Sequence, residues 1–132
     1  MKRDALLTPL HWLMMAVWGV FVLLLTTLPG HVPLVRVLAE AIGGTETSAV
    51  LGHIALFALL TLFSWRALVT WFHWRQAIFM AVVAGLLLGT TTELFQWFVS
   101  SRAATITDLL ANWLGVFATA FVITWFAVSA RR

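Results

Sequence analysis

The chain has 132 residues, of which 62% belong to the hydrophobic set and only 10% are charged, with a net charge of +3. Soluble domains run at about 45–50% apolar and about 25% charged, so this composition excludes an ordinary water-soluble globule and equally a disordered chain. Cysteine is absent, which removes disulfides, thiolate metal centres and cysteine nucleophiles, and no basic cluster offers a footprint for nucleic acid.

Four apolar stretches follow one another at residues 10–28, 50–69, 77–99 and 106–128. Each is long enough to cross a hydrocarbon core of about 30 Å as a helix, and none alternates in the manner of a barrel strand. An all-α integral membrane four-helix bundle is therefore expected, as a single domain over 1–132. Lys2 and Arg3 precede the first stretch as they would a secretory signal. That stretch exceeds the usual apolar length of about 7–15 residues, and Thr26-Thr27-Leu28-Pro29 is a poor cleavage site. The first helix is expected to be retained.

The first connection, 29–48, is the longest. Pro29 and Pro33 end the first helix, residues 35–42 could form a short interfacial helix, and Gly43-Gly44 would stop it. Residues 45–48 supply N-cap candidates for the second span. Lys2, Arg3, Arg66, Arg75, Arg131 and Arg132 lie on one side of the spans, against Arg36 and Arg102 on the other. The positive-inside rule then puts both termini in the cytoplasm of a multi-pass inner-membrane protein. Trp12, Trp71, Trp74 and Trp125 mark the cytoplasmic ends of the spans.

With that orientation, the polar residues inside the spans share one depth, near the outer leaflet. His53 is one turn inside the second span, Glu93 and Gln96 end the third, and Asp108 and Asn112 begin the fourth. Thr26 and Thr27 end the first span on the same side, and Arg102 lies in the tight outer loop. Arg66 is the exception, at the cytoplasmic end, where it can snorkel. Gly89, Glu93 and Gln96 share a helix face, as do Asp108, Asn112 and Gly115. Ionisable groups in a span face the bundle interior or a wet cavity, so these faces converge on one pocket, with Arg102 at its mouth.

Two kinds of role stand beside each other for every member. Glu93 reads as a general base or as half of a buried pair holding helix ends together. Asp108 is its acid–base partner or, in Thr105-Ile106-Thr107-Asp108, a capping residue. His53 is a proton carrier, a ligand or an interhelical donor, and Asn112 binds or bridges helices. Arg102 offers a planar fork to phosphate or simply holds the turn. No tight His spacing supports a metal, and no cofactor is expected.

The set Glu93-Leu94-Phe95-Gln96, then Arg102, Asp108, Asn112 and Gly115, with His53 opening an earlier span, resembles the signature of VanZ-like membrane proteins. The likeness covers about residues 48–121. Ser100-Ser101 stands where that family often has Pro-Gly, and Ala49-Val50 where it often has Asp-Lys. The resemblance implies a four-helix membrane fold, a site at these residues and an envelope role of the kind linked to glycopeptide resistance and teicoplanin. A binding protein for a membrane lipid, a lipid-linked envelope precursor or such an antibiotic is the leading expectation. A small membrane enzyme with Glu93 as general base, and a scaffold acting through partners or as a homo-oligomer, are the alternatives. Transport fits less well, because no inverted pair of interrupted helices is present.

Overall fold

The computed structural model describes residues 2–41, 43–98 and 105–130, with side chains from Leu7 onward. Among the described residues it contains five α-helices and no strand: α1 (Lys2–Thr27), α2 (Pro33–Ala41), α3 (Glu46–Leu68), α4 (Trp74–Phe98) and α5 (Ile106–Ser129). Residues Leu7–Thr27 of α1, together with α3, α4 and α5, are long and apolar enough to cross a membrane. Burial runs opposite to that of a soluble protein. Leu, Val, Phe and Trp side chains are widely exposed on α1, α4 and α5, while Thr26, Thr61, Ser64, Thr92, Glu93, Gln96 and Asn112 are buried. Apolar outer surfaces around a polar-containing interior are what a hydrocarbon solvent selects, and they define a multi-pass membrane protein.

Local chemistry explains where the helices start and stop. α1 ends at Thr27, just before Pro29, where the residue preceding a proline is driven out of helical geometry. It begins at Lys2, well ahead of the first apolar residue counted from the sequence, because helix formation needs only compatible residues and not apolar ones. Pro9 lies inside it and removes one intrahelical donor. α2 ends in a Schellman motif, in which Gly44 N–H donates to the Ala39 carbonyl at 2.8 Å and Gly43 N–H to that of Glu40 at 3.0 Å. Gly43 has φ +111°, where a Cβ would be strained.

α3 starts at Glu46 rather than 50 because Thr45 caps it. Its hydroxyl accepts from Ser48 N–H at 3.1 Å, and Ser48 Oγ accepts from Thr45 N–H at 3.0 Å. This reciprocal box satisfies two donors that a helix end otherwise leaves open. Thr45→Ala is expected to lower stability by about 1 kcal/mol, read by thermal unfolding in mild detergent.

α3 is the central helix and packs against α1, α4 and α5; α4 also packs against α5 and α1. Val22, Phe57, Leu60 and Val116 form the buried apolar core, with Trp18, Leu56 and Leu86 against it. Two hydrogen bonds tie α3 to its neighbours through carbonyls. The Trp18 indole N–H donates to Leu56 O at 3.0 Å, and the Thr119 hydroxyl to Ala58 O at 3.2 Å.

The two ends of the helix assembly differ in chemistry. At one end lie the α1 C-terminus, the α3 N-terminus, the α4 C-terminus and the α5 N-terminus, bringing Glu93 and Asp108 together with His53. At the other, Trp12 meets Trp71 edge-on at 6.5 Å, Arg66 lies over Trp65 at 5.8 Å and Arg75 over Trp74 at 5.3 Å. One end is thus carboxylate-bearing and the other basic and aromatic.

Candidate functional site

Helical spacing places Asp108 and Asn112 one turn apart on α5, and Glu93 one turn below Gln96 on α4. Packing of α5 against α3 then brings His53 between the α5 side chains. The His53 Nδ1 and Asn112 Oδ1 are 2.8 Å apart, and Asn112 Nδ2 donates to Glu93 Oε1 at 3.2 Å. His53 Nε2 stands 3.9 Å from Asp108 Oδ1. Four side chains from three helices therefore form one row, Asp108–His53–Asn112–Glu93, with Asn112 completely buried and Glu93 only 7% exposed.

Donor and acceptor counting fixes how the row is wired. Asn112 spends its amide N–H on the Glu93 carboxylate, so its carbonyl is the atom facing His53, and His53 donates from Nδ1. Nε2 is left to face Asp108. A neutral imidazole and an ionised carboxylate are both acceptors there, so the approach is attractive only with a proton on one of them. Asp108 divides its oxygens: Oδ2 accepts from the Thr105 hydroxyl at 2.8 Å while Oδ1 faces His53.

Thr105 is the residue that caps α5, with Asp108 three residues on. Its hydroxyl caps α5 by accepting from Asp108 N–H at 3.0 Å. The Asp108 carboxylate meets the Thr105 hydroxyl rather than its backbone N–H, and Thr105 lines the α4–α5 cleft beside Glu93. Glu93 Oε2 is buried and has no hydrogen-bond partner of good geometry among the described residues.

Gln96 belongs to a different contact. It is buried, and its Nε2 donates to the Thr26 carbonyl at 2.6 Å. Gln96 thus satisfies an open carbonyl at the end of α1 and ties α4 to α1; no hydrogen bond joins it to Glu93. The Thr26 hydroxyl turns back to Val22 O at 2.7 Å. Arg102 lies outside the described residues. Among the described residues no group of three His, Asp or Glu side chains is placed to hold a metal ion, because Asn112 stands between His53 and Glu93.

The row meets one opening at His53 and another at Glu93. A groove of about 310 Å³ runs between α1, α2 and α3, walled by Trp18, Phe21, Leu25, Leu38 and Leu56, with His53 on its lining. A smaller cleft of about 130 Å³ between α4 and α5 has Glu93, Trp97 and Thr105 on its lining. Both are apolar but for the members of the row and the Thr hydroxyls beside it.

Sequence reasoning grouped His53, Glu93, Asp108 and Asn112 correctly at one end, since depth follows from helix position. It did not single out Thr105, which lines the cleft beside Glu93, or the Thr26 carbonyl as the partner of Gln96. The only signal for the first was the Thr105-x-x-Asp108 spacing, and a backbone carbonyl carries none. No protein-family model, curated protein or solved structure matches the chain.

Proposed function

We propose that this chain is a VanZ-like protein of the bacterial inner membrane, both termini cytoplasmic, that binds the polar head of an amphiphile at the outer end of its helices. The observation that carries the reading is the buried Asp108–His53–Asn112–Glu93 row opening onto an apolar groove at His53 and an apolar cleft at Glu93. A ligand with a polar head and an apolar body matches that sequence of surfaces. The positive-inside distribution of Lys and Arg supports the orientation. Two carboxylates make the row rich in acceptors, which favours hydroxyl or ammonium donors on the ligand; Arg102 is the candidate for its phosphate. A membrane lipid, a lipid-linked envelope precursor and a glycopeptide antibiotic such as teicoplanin all have this build.

Binding of a polyprenyl-pyrophosphoryl disaccharide-peptide and of teicoplanin, measured on protein in mild detergent, tests the reading. Glu93→Gln and Arg102→Ala are each expected to weaken binding about tenfold, the worth of one charge-assisted hydrogen bond. Their unfolding temperatures should stay close to wild type. Unchanged affinity for both probes overturns the proposal, and a joint loss of several degrees without any effect on binding would make the row architectural.

The unpartnered Glu93 Oε2 beside a cleft favours a second reading, in which Glu93 is the general base of a small membrane enzyme acting on a lipid-linked substrate. Release of phosphate or acyl groups from membrane lipids, absent in Glu93→Gln, would support it. Equal turnover by the two proteins would remove Glu93 from any such mechanism.

A further inference from the structure

At the basic, aromatic end, away from the row, α1 and α3 enclose a cavity of about 260 Å³ lined by His11, Met14, Leu62, Phe63 and Arg66. Arg66 has no carboxylate within ion-pair distance among the described residues; its guanidinium lies over the Trp65 ring. His11 Nδ1 is buried and likewise has no hydrogen-bond partner among the described residues. A cation and an imidazole nitrogen, both without an acceptor or donor among the described residues, therefore share one cavity.

Helix direction orders the lining by depth. α1 runs inward from this end, so His11 lies nearer the end and Met14 about 4.5 Å deeper. α3 runs toward this end, so Arg66 lies nearer it and Phe63 and Leu62 about 4.5–6 Å deeper. Both walls thus pass from polar to apolar in the same sense. A free anion would use only the polar mouth; a phospholipid uses both parts, phosphate at the mouth and the first methylenes of a chain below. Basic pockets between spanning helices are suited to anionic headgroups, and the guanidinium fork matches phosphate geometry.

We infer that the α1–α3 cavity is a binding site for an anionic phospholipid, with Arg66 and His11 on the phosphate and Met14, Leu62 and Phe63 against the proximal chain. The site is separate from the Asp108–His53–Asn112–Glu93 row and stands or falls independently of the function proposed for that row.

Native mass spectrometry of the full chain, titrated with phosphatidylglycerol, phosphatidylcholine or inorganic phosphate, tests the site. Phosphatidylglycerol is expected to be retained at least about tenfold more tightly than phosphatidylcholine, with Arg66→Gln removing that preference. Arg66→Lys should retain part of it, and Arg75→Gln, a cation at the same end that does not line the cavity, should leave it intact. Met14→Trp fills the apolar half without touching charge and should also displace the lipid, which keeps the test open if Arg66→Gln fails to fold. Equal retention of the two lipids, equal losses in Arg66→Gln and Arg75→Gln, or competition by millimolar inorganic phosphate would each overturn the assignment.

Discussion

Gly115→Ala is expected to destabilise the protein by at least about 3 kcal/mol, although alanine is the better helix former by about 1 kcal/mol. A Cβ at Gly115 would run into the Ile54 carbonyl oxygen and stand 3.0 Å from the Ala58 backbone nitrogen. The obstacle is backbone on α3, which cannot swing aside as a side chain would. α5 and α3 would have to separate or slide, and the His53–Asn112 hydrogen bond one turn away would lengthen with them. Small residues at such crossings set how closely membrane helices approach. Gly19→Ala is the control, since its nearest obstacle is the flexible Leu60 side chain at 4.0 Å. Thermal unfolding of both variants in the same detergent should separate them by several degrees, and an unchanged Gly115→Ala would mean the crossing is loose.

Asn112→Leu should cost about 2–5 kcal/mol, the second large effect. The substitution strands His53 Nδ1 and Glu93 Oε1, which both depend on Asn112 for the contacts described above. Each unsatisfied buried group is worth about 1–3 kcal/mol, and Leu keeps the branching and heavy-atom count of the Asn side chain. The loss should not be additive with removal of a neighbour. In the Asn112→Leu background, Glu93→Leu no longer discards a hydrogen bond and instead removes a stranded polar group, so a double-mutant cycle should give a coupling of at least about 1 kcal/mol. Additive effects would show that the four side chains are neighbours without acting as a row.

Much of this architecture is legible in the chain before folding. The apolar runs determine that four helices are long and apolar enough to cross a membrane. Pro29 sets the end of α1, Gly43 and Gly44 the end of α2, and Thr45 the start of α3, because caps and breakers act through local backbone geometry that a few neighbouring residues dictate. The helices start ahead of the apolar boundaries where polar but helix-compatible residues such as Lys2, Glu46 and Arg75 carry the turns on. Position along a helix also determines depth, which is why His53, Glu93, Asp108 and Asn112 could be assigned to one end without coordinates.

Partner choice was decided only by the tertiary structure. Periodicity places Glu93 and Gln96 on one face of α4, yet Glu93 bonds to Asn112 on α5 and Gln96 to the Thr26 carbonyl on α1. Two side chains one turn apart can address different neighbours, and which neighbour each meets depends on helix rotation and crossing. The groove beside His53 and the cavity shared by His11 and Arg66 arise in the same way, from surfaces of separate helices. A helix's sequence determines its own face and depth. The contacts between helices depend on how closely their backbones approach, and at the α3–α5 crossing that distance is set by the missing side chain of Gly115.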